Sequence, residues 1–329
     1  MTMGPSFCTL FDSGYLPQGL ALLRSLERHV PAMRLWVLAM DARCHQLLTD
    51  LEHPSLRVLR LEECETEELR LARLQRSWGE YCWTLTPFLP GMVMDRDPDA
   101  TTVTYIDADC WLRGSVSPLL HSFEASGAHC MITPHAYAPR RDRTAIAGTY
   151  CVQFMPFRRT PQATRILRWW QQCCLEHCSS KLGQGPLGDQ GYLEDWPTRF
   201  GPDVYVLERP GLTLAPWNIE RFGLDYLNHP CLYHFQGFRL FRFAGLLVIR
   251  LTAGVPMPKR AFDVLFVPYL RDILQMLAQL PEAAVELRSV PVPLEDLRGL
   301  LLLLPRLLFF HWTVWLRRLP PALCCVKRG

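Results

Sequence analysis

Asp107 and Asp109 are separated by one residue and stand directly after Thr102-Val103-Thr104-Tyr105-Ile106, a β-branched and aromatic run that reads as a buried strand. Carboxylates at the carboxyl end of a strand in an α/β sheet lie where such sheets bind ligands. Strand geometry alone would put residues two apart on one face. Hard oxygen ligands of this kind suit Mg²⁺ or Mn²⁺, and such an ion bridges phosphates. The plainer role for both residues is to end the strand and cap the next turn.

Three other constellations invite chemistry and fail on context. Gly183-Gln184-Gly185-Pro186-Leu187-Gly188 fits the dinucleotide pattern G-x-G-x-x-G, but it follows a helix instead of a first strand, and Pro186 removes a needed amide. It reads as the hinge of a substrate loop. Cys173, Cys174, His177 and Cys178 share i,i+4 spacing but lack the loop spacing of a zinc site, so they read as a soft buried helix face. Asp95, Asp97 and Asp99 lack the Gly and distal Glu of a calcium loop and read as a solvated turn.

The elements that must position these groups follow from periodicity. Apolar runs at Phe7 to Phe11, Leu35 to Met40 and Leu56 to Leu59 alternate with helical patterns, as βαβ units do. The helix from Leu16 to His29 carries Pro17 near its start and Leu20, Leu23 and Leu26 at core spacing. Thr160 and Pro161 open another helix, through Trp169 and Trp170 to Cys178. From about residue 240 the composition turns to Leu, Phe, Pro and Arg. The reading is an α/β domain over 1–240 and a helical, apolar and basic extension over 241–329.

The chain of 329 residues is 49% hydrophobic and 20% charged, enough for one large core or two modest ones. A net charge of +3 without a dense basic tract argues against nucleic acid as the partner and leaves an anionic substrate open. The odd count of 13 cysteines, irregularly scattered, does not form a disulfide framework. The N-terminus lacks the pattern of a signal peptide, so the expected location is the cytoplasm. From Arg298 onward there are six Lys or Arg and no acid, interleaved with Leu300 to Leu304, Leu307 to Phe310, Trp312 and Trp315. That is the composition of an interfacial segment drawn to anionic lipid on a cytoplasmic membrane face. Arg306, Pro305 and Pro320 argue against a spanning helix. Alternatively, the leucines pack on the α/β domain and the arginines face water.

Taken together, several motifs carry a family likeness. Tyr105-Ile106-Asp107-Ala108-Asp109 resembles the strand-ending motif of glycogenin-like, family 8 glycosyltransferases. Thr9-Leu10-Phe11-Asp12-Ser13-Gly14-Tyr15 resembles their first strand and loop, Gly185-Pro186-Leu187-Gly188-Asp189-Gln190 their Gly-Asp-Gln segment, and Tyr233-His234-Phe235-Gln236-Gly237 their late histidine motif. Glu80 to Pro87 and Leu214 to Asn218 narrow the resemblance to a bacterial branch of nucleotide-diphospho-sugar transferases. Together these stretches cover about residues 6 to 240.

The resemblance implies an α/β, GT-A (Rossmann-like) fold, with a mixed, mostly parallel sheet flanked by helices. It implies metal-dependent, retaining transfer of a hexose from a UDP-sugar to a saccharide or lipid-linked acceptor. Carried over by residue, Asp107, Asp109 and His234 hold the metal. Thr9, Phe11, Asp12, Tyr15, Asp107, Ala108 and Asp109 contact the donor, and Asp189 and Gln190 flank the anomeric carbon. An imidazole beside two carboxylates favours Mn²⁺ over Mg²⁺. Two departures stand out. Cys151 occupies a place where relatives carry Asn, which bears on donor preference and rate. Phe238-Arg239 replaces a diphosphate-binding Lys, with Arg239 as the substitute cation. Outside the resemblance, His234 reads as a core histidine and Asp189 as a helix N-cap. Two competing functions stay open: a nucleotide-sugar-binding protein without transfer activity, and a membrane scaffold acting through its tail.

Overall fold

Successive side chains of the first strand go to opposite faces of a sheet. Phe7 and Phe11 enter one buried cluster, and Cys8 and Leu10 enter the other. A strand buried on both sides needs layers on both faces, and the computed structural model supplies them. It describes residues 4–183, 185–243, 246–250 and 259–280. The strands are β1 (Ser6–Phe11), β2 (Arg34–Ala39), β3 (Leu56–Arg60), β4 (Thr102–Ile106), β5 (Cys110–Leu112), β6 (Cys130–Pro134), β7 (Tyr150–Cys151), β8 (Phe154–Arg158), β9 (Val204–Val206), β10 (Thr213–Leu214), β11 (Leu232–His234), β12 (Arg239–Phe243) and β13 (Leu246–Arg250). The main sheet runs β3-β2-β1-β4-β8-β6-β7, with β9 beside β6.

The first four strands of that order are parallel, and β8 lies antiparallel to both β4 and β6. Ser6 faces Val103 across β1 and β4, so the carboxyl ends of these two strands lie side by side. The chain leaves β1 toward β2 on one flank, while β4 sits on the other. Their shared end is therefore a switch point of the kind that holds ligands in α/β sheets. A small second sheet, β10-β11-β5, continues beyond that end.

Four helices frame the site: α1 (Leu16–His29), α2 (Trp78–Leu85), α3 (Pro161–Glu176) and α4 (Val267–Leu277). Leu20, Leu23 and Leu26 of α1 share one cluster with Tyr269, Ile273 and Met276 of α4. Tyr81 and Leu85 of α2 join Ile166, Trp170 and Cys174 of α3 in the other. Gly19 sits within α1, where glycine normally costs stability. A Cβ there would lie 2.3 Å from the Phe11 ring, so the ring fills the space a side chain would need. Gly19→Ala should therefore lower stability by about 1–3 kcal/mol despite better helix propensity. Thermal unfolding checks this, and an unchanged or raised Tm contradicts it.

Several expectations are corrected. The helix opened by Thr160, whose side chain accepts from the Ala163 amide, ends at Glu176 and not at Cys178. Cys178 therefore lies beyond the helix, and Cys174 and Cys178 do not share its face. Asp97 is not in a solvated turn: it is buried, with Arg34 Nε 3.0 Å and Ser6 Oγ 2.9 Å from its Oδ2. Arg34 opens β2 and Asp97 follows the helix Leu89–Arg96, so only their packing brings the charges together. In the region expected to be helical, β12 and β13 form an antiparallel hairpin, and helix begins at Lys259. Among the described residues no helix is long and apolar enough to cross a membrane. The apolar and basic tail from Arg298 lies outside the described residues.

Candidate functional site

Asp107, Ala108 and Asp109 form a turn between β4 and β5, closed by the Cys110 amide donating to the Asp107 carbonyl at 3.0 Å. The carboxylates thus project from a turn and not from one face of a strand. The second sheet then supplies the third group. In the antiparallel pair of β11 and β5, His234 stands opposite Cys110, and the Phe235 amide donates to the Asp109 carbonyl at 2.7 Å. His234 Nε2 lies 3.0 Å from Asp109 Oδ1 and 3.8 Å from Asp107 Oδ2. Among the described residues, these three form the group whose ligand atoms come within 4.8 Å of one another.

The donor set fits a divalent cation. Ligands about 2.1 Å from an octahedral ion at right angles lie about 3 Å apart, close to the 3.0 Å between His234 and Asp109. His234 Nδ1 lies 3.2 Å from Gln153 Oε1. With a proton on Nδ1 donated to that carbonyl oxygen, an incoming cation would displace the proton that Nε2 shares with Asp109 and take its lone pair. Gln153 is oriented in turn: its Nε2 donates to Thr133 Oγ1 at 3.2 Å, and its backbone carbonyl accepts from the Asp107 amide at 3.1 Å. Gln153 was missed in the sequence. Its signal was a buried polar residue inside the apolar run Cys151 to Phe157.

Electrostatics agree with a site that wants a cation. Burial raises Asp107; His234 opposes this and Asp109 adds to it, leaving it at about 7. Burial also pushes Asp109 up, but His234, by charge and hydrogen bond, outweighs it and holds Asp109 below the usual range. Conversely, burial would lower His234, and the Asp109 carboxylate overcomes this and raises it well above an ordinary imidazole.

Asp189 approaches from the opposite layer. Trp170 Nε1 of α3 donates to its carbonyl at 2.9 Å, and Gly188 before it donates to the Ser179 carbonyl at 2.9 Å. Gly188 has φ +56, and a Cβ there would lie 3.0 Å from the Trp83 ring of α2. Asp189 is 6% exposed. Burial, reinforced by the nearby Asp107 charge, pushes its carboxyl up to about 8. It makes no side-chain cap to the 3₁₀ turn Gln190–Asp195, so the N-cap role falls away. Gln190 Nε2 donates to the Ala147 carbonyl at 3.0 Å.

The loop after β1 is held from three sides. Asp12 accepts from the Tyr15 amide at 3.1 Å and from Trp78 Nε1 of α2 at 3.1 Å. Ser13 N donates to Asp41 at 2.8 Å. Arg239, at the start of β12, lies over the Tyr15 ring at 4.4 Å and donates to the Tyr15 hydroxyl. Thr9 and Phe11 are 0% and 3% exposed, because β1 is covered on both faces, so their side chains are not brought to the surface of the site. Ala108 is buried at the turn.

Cys151 is buried beside His135 and His234. Burial raises its thiol, but the two imidazoles outweigh that and bring it to about 6. His135 stacks on Tyr137 with ring centroids 4.7 Å apart, and Trp217 meets His234 edge-on at 5.2 Å.

No protein-family model matches the chain. The uncharacterized protein YfnF of Bacillus subtilis (strain 168) is 29% identical over 270 residues, 78% of this chain and 89% of YfnF. The uncharacterized protein YfnD of the same organism is 30% identical over 248 residues. Among solved structures, the galactosyltransferase LgtC in complex with donor and acceptor sugar analogs aligns with a TM-score of 0.50 at 14% identity, over 89% of this chain and 99% of LgtC. This likeness fixes the fold as the GT-A glycosyltransferase fold, a central, mostly parallel sheet flanked by helices. With 30% identity across 71% of its own length and 78% of the relative's, the chain belongs to the same protein family as YfnD.

Proposed function

We propose that this chain is a metal-dependent, retaining glycosyltransferase that moves a hexose from a UDP-sugar to a saccharide or lipid-linked acceptor. The observation that carries the reading is the convergence of Asp107, Asp109 and His234 at the switch point of a GT-A sheet. Asp107, Asp109 and His234 would hold a divalent ion, Mn²⁺ in preference to Mg²⁺ because of the imidazole. When bound, that ion supplies positive charge to a departing diphosphate. Asp12 and Tyr15, tied to Trp78 and Arg239, bind the nucleotide, and Arg239 adds a cation on the phosphate side. Asp189 and Gln190 position the transferred sugar for attack on the face the leaving group vacates.

The order of the motifs supports a place near glycogenin-like, family 8 enzymes. We assign catalysis to residues 1–240 and the extension to 241–329, and we place the protein in the cytoplasm, with the basic tail on an anionic membrane surface.

The test needs no acceptor, because water replaces it. A panel of nucleotide sugars is incubated with the protein in Mn²⁺ and in chelator. Cleavage of one UDP-sugar, abolished by chelation and restored by Mn²⁺, is the expected result. No cleavage of any donor together with no UDP binding sinks the donor-site reading. Tight binding of UDP-sugar without turnover favours the non-transferring alternative, which the buried Cys151 beside His234 supports.

A further inference from the structure

Helix α4 reaches the ligand-bearing segments from a part of the chain that carries none of the motifs. Tyr269, fully buried, lies flat on Phe235, with ring centroids 3.7 Å apart and planes at 8°. Its other ring neighbours are Phe238 at 5.1 Å and Trp111 at 6.3 Å. Each of these three rings sits close in sequence to a site residue. Trp111 comes two residues after Asp109, Phe235 follows His234, and Phe238 precedes Arg239. Less than one turn further along α4, buried Asp272 accepts from Trp111 Nε1 at 2.8 Å and from Arg28 of α1 at 2.6 Å.

The strands that present Asp109 and His234 are short. β5 and β11 have three residues each, and β10 has two. Pairs of that length are marginal without packing. A metal site, by contrast, tolerates only about 0.2 Å in its ligand distances. Something outside the small sheet must hold it. Stacked and edge-on aromatic pairs add about 0.5–1.5 kcal/mol each beyond burial and fix orientation.

We propose that α4 is a positioning element of the donor site, with the Tyr269 ring holding the Asp109, His234 and Arg239 segments in register and Asp272 anchoring the helix to Trp111 and α1. The proposal rests on the metal-site reading above. The Tyr269 hydroxyl has no hydrogen-bond partner among the described residues, so Tyr269→Phe keeps every contact the proposal uses.

The test is a Mn²⁺ titration followed by the electron paramagnetic resonance of the free ion. It uses full-length wild type, Tyr269→Phe, Tyr269→Leu and Asp272→Asn, with Tm measured on the same samples. Tyr269→Phe should bind Mn²⁺ within about twofold of wild type, and Tyr269→Leu about tenfold or more weakly per folded molecule. Asp272→Asn should weaken binding by a similar order, as outer-shell changes do. If Tyr269→Leu does not fold, Asp272→Asn decides. Lower Tm with wild-type Mn²⁺ affinity in the folded variants overturns the proposal, since α4 would then be structural only. So does equal weakening by Phe and Leu at Tyr269. Failure of wild type itself to bind Mn²⁺ is a different result: it removes the metal reading and this inference with it.

Discussion

Asp109→Ala should weaken Mn²⁺ binding by about 100-fold or more and reduce Mn²⁺-dependent donor cleavage by about 1,000-fold, roughly 4 kcal/mol of lost transition-state stabilisation. The variant deletes the carboxylate nearest His234, whose Oδ1 is 3.0 Å from Nε2. What remains is one carboxylate at 3.8 Å, on Asp107. Asp107 alone does not replace it, because with Asp109 gone the site offers an ion two protein ligands instead of three. The loss should be specific to the ion, since the Phe235 amide donates to the Asp109 backbone carbonyl at 2.7 Å and a side-chain deletion leaves that bond in place. The measurements are calorimetric Mn²⁺ titration and donor cleavage, with far-UV circular dichroism as the control for folding. Undiminished Mn²⁺ affinity in a folded Asp109→Ala protein would remove Asp109 from the ligand set.

Asp189→Asn separates stability from chemistry. In the folded, ion-free protein the Asp189 carboxyl keeps its proton up to about pH 8, whereas in the unfolded chain it releases it at about pH 3.9. Between those values the folded state binds more protons, so stability from this group is full at low pH and falls as pH rises toward 8. Asparagine carries no proton to lose. The variant should match wild type in Tm near pH 4 and exceed it at pH 8, by on the order of a few kcal/mol in stability. Added Mn²⁺ should shrink the difference, because positive charge at Asp107 relieves the repulsion that burial magnifies. Donor cleavage should drop by about 100-fold or more if the carboxylate acts at the anomeric centre. A Tm difference that is flat from pH 4 to 8 contradicts the protonation argument. A stabilised variant with wild-type turnover contradicts the catalytic role.

The amino-acid sequence determined the local elements. Leu20, Leu23 and Leu26 place a helix at Leu16–His29, and β-branched residues place a strand at Thr102–Ile106, because side-chain period is a local property that either element must satisfy to bury its face. It also pointed to Asp107, Asp109 and His234, through a resemblance between motifs that lie more than a hundred residues apart. Their distances were not in it. Only tertiary structure decided that the two aspartates leave a turn, that Gln153 orients His234, that Asp97 is buried against Arg34, and that Thr9 and Phe11 face inward. Tyr269 belongs to the same class, placed against Phe235 by the packing of α4 on α1. The reason is common to all of them. Each depends on which strand edges pair and which helix covers which face. Strand register and layer packing are settled by the whole core at once, so no stretch of neighbouring residues carries that information.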